Sequence, residues 1–250
     1  MKIKDFFEKH NEVAVAFSGG VDSAVLLLLA KRYANRVKAY YVKSQFQPEF
    51  ELKDAVEIAK ILDAEIEVMS LDVLSDKTIS NNPENRCYYC KRRIFSTICN
   101  KAKDDGFSTV IDGTNASDKA DDRPGMKALS ELGVYSPLRI CAMTKSEIRA
   151  IAKESNLPVA DKPSYACLAT RIKTNTPITA EALEKTEKSE NILSSLGFRN
   201  YRVRYNNGSA VLELGLNDFA VFYKKRKEVY SALSKLYDEV YLNLKEREDE

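Results

Sequence analysis

The residues Val13-Ala14-Val15-Ala16-Phe17-Ser18-Gly19-Gly20-Val21-Asp22-Ser23-Ala24 decide the fold. The apolar run Val13 to Phe17 has the length and side chains of a buried parallel strand. It stops at Ser18-Gly19-Gly20, where two glycines permit a tight turn and let backbone amides come close to a ligand. Asp22 and Ser23 then open an apolar helical run from Ala24 to Ala30. A strand, a glycine-rich turn and a helix N-terminus make an anion cradle, because unpaired amides and the helix dipole aim at one point. The plain alternative is an ordinary capped strand-to-helix turn; the density of Ser-Gly-Gly-Val-Asp-Ser favours a nucleotide-phosphate site. It is not a Walker A loop, since no Gly-Lys-Ser/Thr closes it. It carries a carboxylate instead. A carboxylate beside a phosphate is repulsive unless a cation lies between them, which makes Asp22 a candidate magnesium ligand.

Outward from this stretch, strands and helices alternate. Val37 to Val42 and Glu65 to Met69 read as strands, with a helix from Pro48 to Leu62 between them. Ser108 to Ile111 is another strand. The alternation predicts an α/β fold with a doubly wound parallel sheet. Ligands of such sheets bind beyond the carboxyl ends of the strands. Val42, Lys43 and Ser44 lie at one such end and are expected to flank adenine or ribose. Gly113 and Asn115, in Asp112-Gly113-Thr114-Asn115, lie at another and are expected to close the same pocket. The plain alternative for each is a turn residue.

A polar stretch, Ser75 to Asn85, precedes a helix that runs to about Asp105, and a charged cluster spans Asp118 to Arg123. Thr144-Lys145-Ser146-Glu147 reads as a helix cap, with the acid three residues after the capping hydroxyl. Beyond Thr174-Asn175-Thr176-Pro177 the pattern changes. A helix from Ala180 to Leu196 is followed by strands Arg199 to Tyr205 and Ala210 to Leu214 about Asn207-Gly208, a hairpin signal. A helix from Asn217 to Tyr237, a strand from Val240 to Leu244 and a charged tail expected to fray complete the chain. The expected domains are 1–174 and a smaller α+β domain, 175–250.

At 250 residues, with 44% hydrophobic and 30% charged residues, the chain reads as soluble and globular. It shows no signal-peptide pattern and no apolar run of spanning length, so a cytoplasmic setting without a membrane partner is expected. A net charge of +2 gives no strongly basic surface, which argues against nucleic acid as a partner. The single histidine, His10, leaves little material for histidine catalysis or zinc.

The five cysteines are Cys87, Cys90, Cys99, Cys141 and Cys167. An odd number in a cytosolic chain argues against a disulfide framework. Cys87 and Cys90 form Cys-x-x-Cys at a helix start, which admits a redox pair, a zinc site or part of an iron–sulfur site. Spacing alone leaves these open. Cys99 and Cys141 sit in apolar surroundings and read as small buried hydrophobes.

Resemblance narrows the choice. The Ser18 to Ser23 loop resembles that of the PP-loop (N-type) ATP pyrophosphatases, also called adenine nucleotide alpha hydrolase-like. Three further segments resemble the LarE family of ATP-dependent sulfur transferases. They are Asn82 to Lys91, with Cys87 and Cys90; Asp112 to Asn115 through Asp122-Arg123-Pro124-Gly125 to Ser136-Pro137-Leu138; and Lys162 to Arg171, with Cys167. With Arg202-Val203-Arg204 the match spans nearly the whole chain, and is looser in the C-terminal domain. The resemblance implies an enzyme that adenylylates a substrate carboxylate with ATP and then delivers sulfur to it. In the family the acceptor is a pyridinium mononucleotide, the precursor of the nickel-pincer nucleotide. Having all three cysteines, the sequence is similar to the branch in which they hold a [4Fe-4S] cluster, with sulfide or a sulfide donor as sulfur source. In the other branch a single cysteine matching Cys167 gives up its own sulfur.

On this reading Ser18, Gly19, Gly20 and Ser23 hold pyrophosphate and Asp22 holds magnesium. Lys162 and Arg171 flank Cys167, where they would pair with phosphate or lower the thiol pKa. Arg202 and Arg204 share one strand face and, with Glu190, match a substrate-phosphate site of the family. The resemblance also implies a homo-oligomer. The nearest rival is a tRNA-thiolating PP-loop enzyme, some of which also use three cysteines and a [4Fe-4S] cluster.

Overall fold

The computed structural model describes residues 1–118, 124–162 and 165–248. In chain order the elements are α1 (Ile3–Lys9), β1 (Glu12–Ala16), α2 (Val21–Tyr33), β2 (Arg36–Lys43), α3 (Glu49–Ile61), β3 (Ile66–Ser70), α4 (Lys77–Ser80), α5 (Arg86–Asp104) and β4 (Val110–Ile111). There follow α6 (Pro124–Glu131), α7 (Pro137–Ile140), α8 (Lys145–Glu154), a 3-10 turn (Leu168–Arg171), α9 (Ala180–Ser195), β5 (Tyr201–Asn206), β6 (Ser209–Leu214), α10 (Leu216–Leu233) and β7 (Val240–Leu242). Two compact units form: residues 1–73 with 85–164, and residues 74–84 with 165–250.

The first unit is built on a parallel sheet of order β3-β2-β1-β4. Strand β1 is central, and all of Val13 to Ala16 is buried, as a strand covered on both faces requires. The alternation of side chains divides the core in two. Val13 and Val15 of β1, with Ala39 and Tyr41 of β2, face a layer made by α1, α2, α3 and α8, including Phe6, Leu26, Ala55 and Ile148. Ala14 and Ala16, with Tyr40 and Val42, face Ile98 and Ala102 of α5 and Leu129 of α6. Helices on both faces make the sheet doubly wound, as the alternating pattern predicts.

The second unit carries the smaller sheet. Strands β5 and β6 pair antiparallel about Asn207 and Gly208, whose φ values of 47° and 89° suit a tight hairpin turn. Strand β7 adds parallel to β6. Helices α9 and α10 supply Leu193, Val229 and Leu233 to a core shared with Val203, Leu212 and Leu214.

The division differs from a single cut near 174–177. Asn82, fully buried in a left-handed conformation (φ 58°), donates from Nδ2 to the carbonyls of Ile172 and Lys173, and its own carbonyl accepts from the Asn175 amide. The Ile178 amide donates to Ser80. These bonds bind the 74–84 excursion to the C-terminal unit. The tail is also held as far as Arg247, whose amide donates to Leu214 and whose guanidinium donates to Asn200, so fraying is not seen up to that point. Residues 119–123 of the charged cluster, Pro163-Ser164 and residues 249–250 lie outside the described residues.

Candidate functional site

The loop after β1 is shaped by its two glycines for different reasons. Gly19 adopts φ +76°, and a Cβ there would stand 3.0 Å from Ala55 of α3, so the fold itself demands glycine. Gly20 is the N-cap of α2 in an extended conformation and gives no side-chain cap, leaving first-turn amides to a ligand. A Cβ on Gly20 would meet only Ser18 Oγ, at 3.5 Å. Ser23 turns back into the loop: its hydroxyl donates to the Gly20 carbonyl (3.0 Å), accepts from the Ser18 amide (3.3 Å) and lies 3.1 Å from Ser18 Oγ. The turn is therefore held open before any ligand arrives.

Asp22, in the first turn of α2, has two differently placed oxygens. Oδ2 accepts from Lys145 Nζ at 2.6 Å. Oδ1 is buried and, among the described residues, without a hydrogen-bond partner. A buried carboxylate oxygen with no donor is costly, and a cation is the natural group to complete it. The residue thus fits a magnesium ion.

Lys145 was not singled out by sequence. Its segment is recognisable as a cap: Thr144 and Glu147 form a full capping box, in which the Thr144 amide holds the Glu147 carboxyl below its ordinary pKa. What the residues do not disclose is that the ammonium reaches a carboxylate 123 positions earlier. The Lys145 amide donates to Ser117 Oγ (3.0 Å), and the Ala116 amide donates to Met143, so α8 starts from the loop that follows β4.

That loop closes on α2. A Cβ on Gly113 would lie 2.9 Å from the Ser23 amide nitrogen. Beside it, Asp112 accepts from Thr114 Oγ1 and Ser136 Oγ; burial pushes its carboxyl above the ordinary range. Asn115, only 2% exposed, uses its side-chain carbonyl on the Ser117 amide and its own amide on Asp118, so it shapes the loop. At the end of β2, Lys43 pairs with Glu49 (2.8 Å), Val42 is buried, and Ser44 donates from both amide and hydroxyl to Gln47 Oε1. The structure therefore gathers the β1 loop, Gly113 and Lys145 into one place. Lys162, in the first unit, pairs with Asp54 of α3 and lies over the Phe50 ring (5.0 Å).

Cys87 and Cys90 occupy the first turn of α5, three residues apart and so on one helix face. Cys87 is exposed and Cys90 half-buried; Arg86 Nη2 lies 3.8 Å from Cys87 Sγ. Cys99 and Cys141 are half-buried against the two faces of the sheet core, and burial pushes both thiols up. None of the five cysteines is in a disulfide. Among the described residues, no group of three or more Cys, His, Asp or Glu side chains is gathered as a metal site. Two reduced thiols on one helical turn fit part of a metal or cluster site, and the remaining thiol, Cys167, belongs to the second unit.

In the second unit Cys167 precedes the 3-10 turn. Arg171, 1% exposed, donates from Nη1 to the carbonyls of Ala166 (2.6 Å) and Cys167 (3.4 Å), and from Nε and Nη2 to both oxygens of Glu190 (2.9 and 3.0 Å). Tyr165 donates to Glu190 and its ring stacks under the guanidinium at 4.4 Å. Glu190 Oε1 also accepts from the Val203 amide on β5. Arg171 and Glu190 thus hold the backbone around Cys167, with their charges directed at each other. Arg202 and Arg204 share a face of β5; Arg202 is buried, and Arg204 pairs with Glu213 (2.9 Å) and donates to the Thr170 carbonyl. Arg204, Thr170 and Glu213 border a cavity of about 400 Å³.

No described helix is long and apolar enough to cross a membrane. Residues 12–86 match the family model described as queuosine biosynthesis protein QueC. The chain is similar to the pyridinium-3,5-bisthiocarboxylic acid mononucleotide synthase of Lactiplantibacillus plantarum, with 35% identity over 84% of this chain and 78% of that one. An uncharacterised protein of Synechocystis is 35% identical over 85% of this chain and 80% of its own. More distantly, the tRNA-specific 2-thiouridylase MnmA of a Thermotoga species is 30% identical over 60% of this chain and 54% of its own.

Proposed function

The chain belongs to the LarE family of ATP-dependent sulfur transferases, and from that premise we propose that it converts a carboxylate of a pyridinium mononucleotide into a thiocarboxylate. The observation that carries the ATP half is the β1 loop, with its uncapped α2 terminus and the orphaned Oδ1 of Asp22.

A carboxylate is a poor electrophile, because the group it would expel is oxide. A carboxylate oxygen therefore attacks the α-phosphorus of ATP; the α–β bridging P–O bond breaks and pyrophosphate leaves with its electron pair. The product is an acyl-adenylate. A hydrosulfide then adds to the acyl carbon, and AMP leaves with the C–O electron pair, giving the thiocarboxylate. Ser18, Gly19, Gly20 and Ser23 bind the departing pyrophosphate through loop amides and hydroxyls. Asp22 would hold magnesium, which when bound would supply charge neutralisation at the phosphates. Val42, Lys43 and Ser44 border the adenosine, and Gly113 lets the loop after β4 close the same pocket by packing directly against the Ser23 backbone. Arg171 and Glu190 position the segment around Cys167, Lys162 pairs with phosphate, and Arg202 and Arg204 take the substrate phosphate.

Cys87, Cys90 and Cys167 would hold a [4Fe-4S] cluster, whose three-thiolate ligation leaves one iron to carry sulfide. What supports this is the residue set: three reduced thiols, two of them, exposed Cys87 and half-buried Cys90, one helical turn apart. We further propose that the enzyme is cytoplasmic and homo-oligomeric.

The likeness to MnmA favours a second reading, thiolation of a tRNA base. One experiment separates them. Anaerobically reconstituted protein is given magnesium ATP, sulfide and either the carboxylated pyridinium mononucleotide or unmodified tRNA. Exchange of oxygen for sulfur in the mononucleotide, seen by mass, is expected; thiolation of tRNA alone selects the second reading, and pyrophosphate release with neither acceptor sulfurated refutes both.

A further inference from the structure

We propose that Lys145 is a cation-exchange residue of the nucleotide site: its ammonium occupies Asp22 while the loop is empty, and passes to the nucleotide phosphates when magnesium takes Asp22. The inference rests on the ATP reading above and adds to it a residue and an order of events.

Four observations carry it. First, the Lys145 Nζ to Asp22 Oδ2 contact of 2.6 Å is a full ion pair inside the phosphate loop, where an ammonium and an anionic ligand would otherwise attract each other directly. Second, the pair is accessible: the side chains are 29% and 27% exposed, so neither charge must be dragged through the core to separate. Third, helices α2 and α8 do not depend on it, because Ala24, Leu27, Ile148 and Ala152 already join them in one apolar cluster. Fourth, the ammonium satisfies only half of the carboxylate. Oδ1 stays buried and without a donor, a condition that one monovalent group on Oδ2 leaves uncorrected and a divalent ion would correct.

The backbone of Lys145 is meanwhile fixed. Its amide is bound by Ser117, and the Thr144–Glu147 capping box pins the helix start. Only the four-carbon stem has to swing. Lysine suits this role better than arginine, because its compact ammonium has no planar fork to bind the carboxylate in two places. No bond is made or broken in the exchange; Asp22 keeps one cation partner throughout, so the loop never holds a bare carboxylate facing a phosphate.

The test compares the wild-type full chain with Lys145→Met, using manganese alone and manganese with α,β-methylene ATP, which cannot be split at the reacting bond. Calorimetry and manganese spin resonance read binding without any turnover. Loss of one charged contact to phosphate predicts a fall of about ten- to a hundredfold in affinity for the metal–nucleotide. Loss of the competing ammonium predicts tighter binding of manganese alone. Lys145→Arg should restore nucleotide affinity more than metal affinity. If only one of the two affinities moves, or neither does, the exchange is refuted and Lys145 is a tether or a simple phosphate ligand. Lys145→Gln carries the same pair of expectations if the methionine variant does not fold. Failure of the wild type itself to bind the nucleotide would instead remove the ATP reading.

Discussion

Gly113 abuts Ser23 so closely that a methyl group on it would stand 2.9 Å from the Ser23 amide nitrogen and 3.2 Å from the Asp22 carbonyl carbon. The loop after β4 and the first turn of α2 are thus packed backbone to backbone. Neither side can yield without moving the first-turn amides of α2. Gly113→Ala should cost about 1–3 kcal/mol of stability by overpacking. It should also lower affinity for an ATP analogue by about tenfold. Titration calorimetry beside urea unfolding checks both. A stable variant with normal nucleotide affinity would place the nucleotide elsewhere.

Gly20 makes the complementary case. Its φ is −75° and its virtual Cβ meets nothing closer than Ser18 Oγ at 3.5 Å, so the protein without ligand has no need of glycine there. Gly20→Ala should therefore melt with the wild type yet bind ATP at least about tenfold more weakly, since the methyl occupies space the phosphates require. Gly19→Ala should instead destabilise, because φ +76° and the contact with Ala55 are demanded by the fold. If the two variants behave alike, ligand approach is not what Gly20 serves.

The Arg171–Glu190 pair is a prediction about both stability and the thiol it surrounds. Both side chains are buried, 1% and 6% exposed, and Glu190 is the carboxylate that pairs with Arg171 among the described residues. Glu190→Ala leaves a buried guanidinium unpaired, for which about 3–5 kcal/mol of destabilisation is expected in denaturant unfolding. Because Arg171 also holds the carbonyls of Ala166 and Cys167, the milder Glu190→Gln should speed alkylation of Cys167 by iodoacetamide while Cys87 reacts as before. An unchanged Cys167 rate would separate the pair from the cysteine.

How much of this was legible beforehand depends on the range of the interaction. Strand β1, the glycine turn and the start of α2 are adjacent in sequence, and local geometry governs all three. The hairpin at Asn207-Gly208 was legible for the same reason. The Lys145–Asp22 pair was not, because nothing local in either residue announces a partner 123 positions away. Nor was the transfer of 74–84 to the second unit, which is held by buried Asn82 and by backbone bonds of Ser80 and Asn82 to residues 90 or more positions later. The short helix α1 is made by burial of Phe6 and Phe7 against the core, and seven residues carry too little periodicity to reveal it. Arg171 reads in sequence as a neighbour of Cys167; its true partner, Glu190, lies on another helix.

A cluster at the opposite end of the strands sets a pH dependence. Asp105 accepts from Lys38 and Tyr40 on Oδ2, both at 2.8 Å, and from Lys101 on Oδ1 at 2.7 Å. The Lys101 and Lys38 ammonium groups hold its carboxyl well below the usual carboxylate range. A depressed folded-state pKa gives stability that is present above the unfolded value, about 3.9, and lost as pH falls through the folded one. Asp105→Asn should therefore be less stable than wild type at neutral pH, and the difference should shrink below about pH 4. Urea unfolding of both proteins across that range is the check; a difference independent of pH would show that packing, not charge, is lost.

The cysteines separate by where they pack. Cys99 and Cys141 lie against the two apolar faces of the sheet, and their raised thiols make them poor thiolate donors. Cys87 is exposed and Cys90 half-buried at the start of α5, and Cys167 stands before the 3-10 turn with its carbonyl and that of Ala166 held by Arg171. Anaerobic reconstitution with iron and sulfide should then give about four irons per chain, with broad absorption near about 400 nm. Cys87→Ser, Cys90→Ser and Cys167→Ser should each lower bound iron, whereas Cys99→Ala and Cys141→Ala should keep it. Uptake of zinc without iron would overturn the cluster, and loss of iron in Cys99→Ala or Cys141→Ala would move a ligand into the core. After turnover with sulfide, an unchanged mass for Cys167 is expected of a ligand; its conversion to dehydroalanine would make the thiol itself the sulfur donor.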